Sequence, residues 1–268
     1  MSGVPLFDLP PLAGARVLLT NDDGIHAPGI KVLEGIVRGL GMEPWVVAPE
    51  AEQSGAGHSL TLHRPLRWRR ADERRFAVEG TPTDCVLLAL NKFMRDDPPA
   101  LVMSGVNRGA NLGDDVTYSG TVAAAMEGTL LGIPSIALSQ IFTPDAPVRW
   151  DTAEAFAPTV IRAVCGRSWP TDALISVNFP DLPPDQVAGI GLATQGHHKI
   201  GDDLVERLDP RGRPYIWIGM LHSGDQWLEG TDMERSEAGL VTVTPLSVNL
   251  THESGLAHLA GLFPPNEG

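Results

Sequence analysis

Short apolar runs alternate with segments of helical periodicity over the first two thirds of the chain. Apolar runs rich in β-branched residues predict buried strands, and apolar positions three or four residues apart predict helices that bury one face. The predicted strands cover Arg16–Thr20, Trp45–Ala48, Ala100–Met103, Ile133–Leu138 and Leu174–Val177, and the predicted helices cover Pro28–Leu40, Pro82–Leu90, Gly120–Leu131 and Ala153–Val164. Alternation at this spacing indicates βαβ units, so we expect an α/β fold, a mostly parallel sheet with helices on both faces.

The pattern changes near residue 180, where proline and glycine become frequent and the apolar runs become shorter. The predicted elements beyond this point are antiparallel strands around Tyr215, Trp217 and Trp227, a short helix capped by Thr231 with Glu234 completing a capping box, and a last strand at Leu240–Thr244 before Pro245. We therefore divide the chain into an extended or disordered leader (residues 1–14), a core (15–180) and a β-rich extension (181–268). Exposed hairpins such as those of the extension often mediate self-association.

Charge and composition narrow the possible partners. The formal net charge of −13 argues against sequence-independent binding of nucleic acid, which needs a basic surface. The chain has no uninterrupted apolar run of about 18 residues and no signal-peptide pattern, so we expect no membrane span. Its two cysteines, Cys85 and Cys165, lie in apolar helical segments and are expected to be buried thiols in a reducing cytoplasm. A small phosphorylated ligand stays possible, because a bound cation can reverse the local field.

Polar, glycine-rich loops follow three of the predicted strands. The first loop contains Asp22 and Asp23, the second contains Ser54 and His58, and the third runs from Ser104 to Asn111. Because loops that follow parallel strands meet at one edge of the sheet, we expect these side chains to converge there.

The adjacent carboxylates of Asp22 and Asp23 predict a divalent cation site. Carboxylate oxygens are ligands that Mg²⁺, Mn²⁺ and Ca²⁺ prefer, and a cation relieves the repulsion between two neighbouring acids. An ordinary Asp-Gly turn is the competing interpretation. The two other donor-rich loops favour the metal site, with Ser54 and Asn107 as neutral oxygen ligands.

Several further residues are candidates for binding phosphate. The segment Ser119, Gly120 and Thr121 opens a predicted helix, where free N–H groups and hydroxyls can cradle an anion. Simple capping by Ser119 is an equally open interpretation. The complete set of predicted phosphate- or substrate-binding residues is Ser104, Gly105, Asn111, Ser119, Gly120, Thr121 and His58, and the predicted catalytic residues are Asp22, Asp23 and Asn107.

Long segments of this sequence resemble the survival-protein SurE family, the stationary-phase 5′/3′-nucleotidases. The matching segments include LLTNDDGIHAPGI, VVAPEAEQSGAGHSLTLHRPL, EGTPTDCVLLAL and LVMSGVNRGANLGDDVTYSGTVAAAMEGTLLGIPSIALS, and the resemblance extends from about Val17 to Thr251. It implies a Rossmann-like domain with a C-terminal β-hairpin that exchanges between subunits of a homodimer or homotetramer. It also implies hydrolysis of nucleoside 5′- and 3′-monophosphates, and of short polyphosphate in some members. The implied ligands of one divalent cation per subunit are Asp22, Asp23, Ser54 and Asn107.

Metal-assisted hydrolysis of a phosphomonoester is the chemistry that these observations favour. The identity of the general base stays open. Three alternatives compete with this hypothesis. A phosphatase with an aspartyl-phosphate intermediate typically has its two aspartates two residues apart rather than adjacent. A phosphoacceptor receiver module is about half this length. A non-catalytic, metal-dependent nucleotide sensor would bind nucleotide without releasing phosphate.

Overall fold

The secondary structure follows the predicted alternation of strands and helices in a computed structural model that describes residues 4–9, 11–197, 204–218 and 227–262. The strands are β1 (Arg16–Thr20), β2 (Glu43–Pro49), β3 (Trp68–Asp72), β4 (Arg75–Val78), β5 (Leu101–Arg108), β6 (Ser135–Gln140), β7 (Ala173–Phe179), β8 (Gly189–Leu192), β9 (Leu204–Leu208), β10 (Pro214–Ile218) and β11 (Leu240–Ser247). The helices are α1 (Pro28–Gly39), α2 (Pro82–Leu88), α3 (Gly120–Leu130), α4 (Trp150–Cys165), α5 (Asp232–Glu237) and α6 (Glu253–Leu259). A π-helical turn, Ala89–Phe93, follows α2.

Nine strands of the described residues form one sheet, in the order β3-β4-β2-β1-β5-β6-β7-β11-β8. The pairs β1–β2, β1–β5, β2–β4, β5–β6, β6–β7 and β8–β11 are parallel, and the pairs β3–β4 and β7–β11 are antiparallel. This confirms the predicted fold class. The chain leaves β1 toward β2 on one side and later returns to β5 on the other side. Such a switch in strand order opens a crevice beyond the carboxyl ends of the strands, where ligands bind in sheets of this type.

Helices cover both faces of the sheet, as expected. One face packs against α1 and α4, and the other packs against α2 and α3. Amphipathic α1 buries one stripe of apolar residues, namely Ile30, Leu33, Ile36 and Val37. Both cysteines are buried, as predicted.

Helix α3 is buried on almost all sides. Its residues are mostly alanine, glycine and threonine, so its backbone can approach the sheet closely. At Gly128, an added Cβ would lie 2.5 Å from the Ser135 Oγ and 2.9 Å from Val102 Cγ2, so no larger residue fits this contact.

Strand β5 is longer than predicted, and this changes the environment of several site residues. The strand was expected to end at Met103, but it continues to Arg108 across a β-bulge between Ser104 and Asn107. Within the bulge, Gly105 has a φ of 132°, a conformation that favours glycine. Ser104 and Gly105 therefore belong to a buried strand rather than to an exposed loop. The segment SGVNRG suggests a loop because its glycines hide the continuing strand.

Other differences from the prediction fall at the edges of the sheet. Strands β3, β4 and β8 were not predicted. The last strand continues through Pro245, which is tolerated because the partner strand β8 pairs only as far as Val243. The prediction that Trp227 lies in a strand is wrong, because it precedes a turn in which Gly230 has a φ of 83°.

Residues near the start of the described chain pack on the core. The N–H of Phe7 donates to the Trp169 carbonyl at 2.9 Å, and the two rings meet edge to face with centroids 6.0 Å apart. The N–H of Thr171 donates in turn to the Pro5 carbonyl at 2.9 Å. The leader thereby covers the connection between α4 and β7.

The extension contains a separate antiparallel hairpin, β9–β10, which includes Tyr215 and Trp217 as predicted. Thr231 caps α5, although the capping box is only half formed. The carboxylate of Glu234 accepts a hydrogen bond from the N–H of Gly230 instead of Thr231. None of the described helices combines the length and hydropathy that crossing a membrane would require.

Candidate active site

Asp22 lies directly after β1, beneath the first turn of α3. Its carboxylate accepts a hydrogen bond from the Thr121 hydroxyl, and only 5% of the residue is exposed. The approach of the helix requires Gly120, because a Cβ there would lie 2.7 Å from the Asp22 Cβ. Burial raises the pKa of Asp22 to about 6, the Thr121 hydrogen bond opposes this shift, and the charge of Asp23 adds to it.

Asp23 is half-buried and connects the loop after β1 to the end of β5. Its carboxylate accepts a hydrogen bond from the backbone N–H of Arg108 at 3.0 Å. Burial raises the pKa of Asp23, the N–H of Arg108 lowers it, and the charge of Glu52 raises it further. The two adjacent acids therefore lie where ionisation of both is unfavourable without a cation.

The loop after β2 brings Ser54 to the same place. The N–H of Gln53 donates to the Asp22 carbonyl at 2.7 Å, which fixes this loop against the first one. The Ser54 hydroxyl donates to the Glu52 carboxylate at 2.9 Å. Ser54, Glu52 and Asp23 line one common cavity, as the predicted convergence requires.

Asn107 lies just past the bulge of β5, next to the residue whose N–H binds Asp23. Its Nδ2 donates to the Gly109 carbonyl at 3.0 Å. The side-chain oxygen of Asn107 has no hydrogen bond within the residues that the structure describes. This oxygen is therefore available as a neutral ligand.

The first turn of α3 is the segment for which a phosphate cradle is predicted. The Ser119 hydroxyl accepts from the N–H of Val122 at 3.0 Å, so Ser119 is the helix cap, and the N–H of Ala123 makes the first intrahelical hydrogen bond. Within the described part of the chain, the N–H groups of Gly120 and Thr121 have no acceptor. Two backbone donors at the positive end of α3 thus face the site.

Two other predicted phosphate-binding residues, Asn111 and Ser104, are buried. The side chain of Asn111 donates to the Ser139 hydroxyl at 2.7 Å, and its backbone N–H donates to Asn178 at 2.9 Å. The Ser104 hydroxyl is completely buried, without a hydrogen-bonding partner in the described structure. Contact of either side chain with phosphate stays a prediction, and neither presents a free polar group at the surface of the site.

His58 contacts a residue that the sequence did not identify. Its Nε2 lies 2.7 Å from a carboxylate oxygen of Glu127, which is buried in α3. This pair joins the loop of Ser54 to the helix that covers Asp22. A single acid in an otherwise apolar helix was the available signal for Glu127.

The cavity beside Asp23 has a volume of about 330 Å³. Its lining combines the polar side chains of Asp23, Glu52 and Ser54 with the aromatic side chains of Phe142 and Trp150. The Arg108 guanidinium lies over the Phe142 ring, 4.8 Å from its centroid. The lining residues are Asp23, Ala27, Pro28, Gly29, Glu52, Ser54, Arg108, Phe142 and Trp150.

The polar side chains of this site fit a hard divalent cation. Among the described residues, no cluster of three or more His, Cys, Asp or Glu side chains is placed to hold a metal, so the ligand set must include neutral oxygens. No Lys, Arg or His side chain in the described ranges forms an ion pair with Asp22 or Asp23. A buried and a half-buried carboxylate, with the neutral side-chain oxygens of Ser54 and Asn107 in the neighbouring loops, match the preference of Mg²⁺ or Mn²⁺.

Comparisons with known proteins identify one family. The family model described as "Survival protein SurE" matches residues 17–202. A protein named 5′-nucleotidase SurE from Paramagnetospirillum magneticum is 55% identical over 95% of this chain and 99% of its own length. Another with the same name from Rhodospirillum rubrum is 56% identical over 97% of this chain and 99% of its own. The crystal structure of the SurE protein from Aquifex aeolicus superimposes with a TM-score of 0.81 at 38% identity, covering 92% of this chain and 99% of that one.

Proposed function

The chain belongs to the SurE family, and from this premise we propose that it is a 5′-nucleotidase that hydrolyses nucleoside 5′-monophosphates to nucleoside and phosphate. The proposal includes dependence on one divalent cation per subunit, Mg²⁺ or Mn²⁺. The ligands proposed for this cation are Asp22, Asp23, Ser54 and Asn107.

One observation carries the metal-dependent part of the proposal. Asp22 and Asp23 are adjacent and substantially buried, and neither forms a salt bridge within the described residues, although the charge of Arg108 partly lowers the pKa of Asp23. Burying two adjacent carboxylates with so little counter-charge is costly, and a bound cation offsets that cost. When bound, the cation would polarise a phosphate oxygen and supply a nucleophilic water.

The residues of the chain itself bind and orient the phosphoryl group. The free N–H groups of Gly120 and Thr121 point from the positive end of α3, where they can donate to the equatorial phosphate oxygens. The hydroxyl of Thr121 holds the Asp22 carboxylate in place, and the N–H of Arg108 holds Asp23. These contacts keep the acids in a defined orientation as the charge on phosphorus changes.

Release of inorganic phosphate from a panel of 5′- and 3′-mononucleotides tests the proposal. Turnover should require Mg²⁺ or Mn²⁺ and cease with EDTA. Asp22→Asn and Asn107→Ala should each lower kcat/KM by at least about a hundredfold. Asp185→Asn, an exposed carboxylate outside the site, serves as the matched control and should retain activity. Full metal-dependent turnover by Asp22→Asn would refute the ligand assignment.

The same panel separates the alternatives. A nucleotide sensor would bind nucleotide but release no phosphate with any metal. A phosphatase with a covalent intermediate would yield a trapped phosphoaspartate. The 3′-monophosphates and a short polyphosphate test the wider activity that we propose on the basis of the family.

We also propose that the β9–β10 hairpin assembles the chain into a homodimer or homotetramer. Four apolar side chains of the hairpin are at least 59% exposed on one face, namely Leu204, Leu208, Ile216 and Ile218. An exposed apolar face of this kind is typical of a protein interface.

A further inference from the structure

Part of the wall of this cavity is built from aromatic rings. Phe142 and Trp150 belong to the connection between β6 and α4 and to the first residue of α4. Phe142 and Trp150 follow Arg108 by 34 and 42 residues in the chain, so segments distant in sequence form this space.

Close packing behind the wall holds it in place. At Gly29, an added Cβ would lie 3.2 Å from the Trp150 Cη2 and 1.8 Å from the Val106 carbonyl oxygen. The indole therefore rests directly on the backbone of α1. Phe142 is held on one side by the Arg108 guanidinium, at 4.8 Å from the ring centroid. Such aromatic and guanidinium planes are surfaces on which nucleobases stack.

The size and polarity of the cavity match a single nucleoside. A volume of about 330 Å³ lies at the lower end of ligand pockets. The carboxylates of Asp23 and Glu52 lie at the same end as Ser54, so the phosphate and cation would occupy that end. The ribose would lie between the phosphate and the base, where its hydroxyls can donate to the carboxylate of Asp23 or Glu52. The planar base would then contact the aromatic rings.

We propose that Phe142, Trp150 and Arg108 form the nucleobase subsite of this enzyme, and that stacking there favours purines because of their larger ring surface. This inference rests on the proposed 5′-nucleotidase function. It goes further by identifying the residues that distinguish a nucleotide from any other small phosphate ester.

The test compares AMP with ribose 5-phosphate, which has the same phosphate and sugar but no base. Phe142→Leu removes the ring while keeping an apolar side chain. The ratio of kcat/KM for AMP to that for ribose 5-phosphate should fall about tenfold in this variant, chiefly through KM. Trp150→Leu should lower the ratio in the same direction, with Trp150→Phe restoring most of it. Trp68→Leu is the matched control, because Trp68 is a partly exposed aromatic residue outside this cavity, and it should leave the ratio unchanged.

The outcomes separate this inference from the function on which it rests. An unchanged ratio in Phe142→Leu, with wild-type protein active on AMP, would overturn the subsite and leave the nucleotidase intact. Equal losses on both substrates would also overturn it, since they indicate a structural effect. Absence of phosphate release from every substrate by the folded wild-type protein would instead refute the proposed function.

Discussion

The burial of Asp22 lowers the stability of the metal-free protein, and we propose that it serves to bind the cation. Its pKa is about 6 in the folded chain, against 3.8 for an exposed carboxyl, because burial disfavours the charged form. The folded state therefore holds a proton between about pH 4 and pH 6 that the unfolded state has already lost. The stability of the metal-free protein should fall as the pH rises through this window and stay lower above it.

The expected effect is measured by urea unfolding in EDTA from pH 4 to pH 7. Asp22→Asn has no charge to lose, so it should gain stability relative to wild type as the pH rises, by up to roughly 3 kcal/mol. Adding Mn²⁺ at pH 7 should stabilise wild type more than the variant. A constant difference between the two proteins across the pH range would contradict the assigned pKa.

The sequence predicts candidate site residues whose chemistry is local, and it does not reveal those that are brought together by tertiary contacts. Asp22 and Asp23 stand out because two acids follow a clear strand. Glu127 contacts His58 from 69 residues away, and Phe142 reaches the cavity from an irregular connection. Nothing in the spacing of such residues encodes their meeting, because distant loops converge only when the sheet has formed.

At the level of elements, the buried strands and amphipathic helices were predictable, and the edges of the sheet were not. Strand β3 is exposed at every position and carries two arginines, so it has neither an apolar run nor an alternating pattern. Charged edge strands of this kind discourage pairing with other chains. The bulge in β5 was hidden for another reason, because glycine in the middle of a strand resembles a loop.

One acid, Asp84, both caps helix α2 and binds a neighbouring loop. The carboxylate of Asp84 accepts from the N–H of Thr81 at 2.9 Å, completing a capping box, and from the N–H of Thr61 at 3.0 Å. Asp84→Ala should cost about 2–4 kcal/mol of unfolding free energy, because two N–H groups lose their partner.

The matched control for this prediction is Asp151→Ala. Asp151 is an exposed acid in the first turn of α4 that has no side-chain hydrogen bond or ion pair with the described residues. It should cost about 0.3–1 kcal/mol in the same urea titration. Equal losses in the two variants would mean that Asp84 does no more than an ordinary first-turn acid.

For the whole molecule, the hairpin β9–β10 presents an apolar face that the described part of the same chain leaves uncovered. Ile216 lies on that face and is 59% exposed. Ile216→Lys should shift the protein to smaller species in sedimentation-velocity experiments, because a charge in an apolar interface is unfavourable. Leu130→Lys, at an exposed leucine outside the hairpin, should keep the wild-type assembly. Wild-type protein that sediments as a monomer would contradict the proposal.

Because α3 packs closely on the sheet, the small residues near its C-terminal end help to set the position of its first turn. Gly128 meets Val102 and Ser135 about 12 Å from the first turn, measured along the helix axis. An added methyl group at Gly128 would clash with these two residues. A shift of α3 that relieves the clash would also displace the two free N–H groups above Asp22. The position of the first turn of α3 thus depends on residues that do not contact a substrate. Substitutions at those positions would change activity without altering any proposed ligand of the cation.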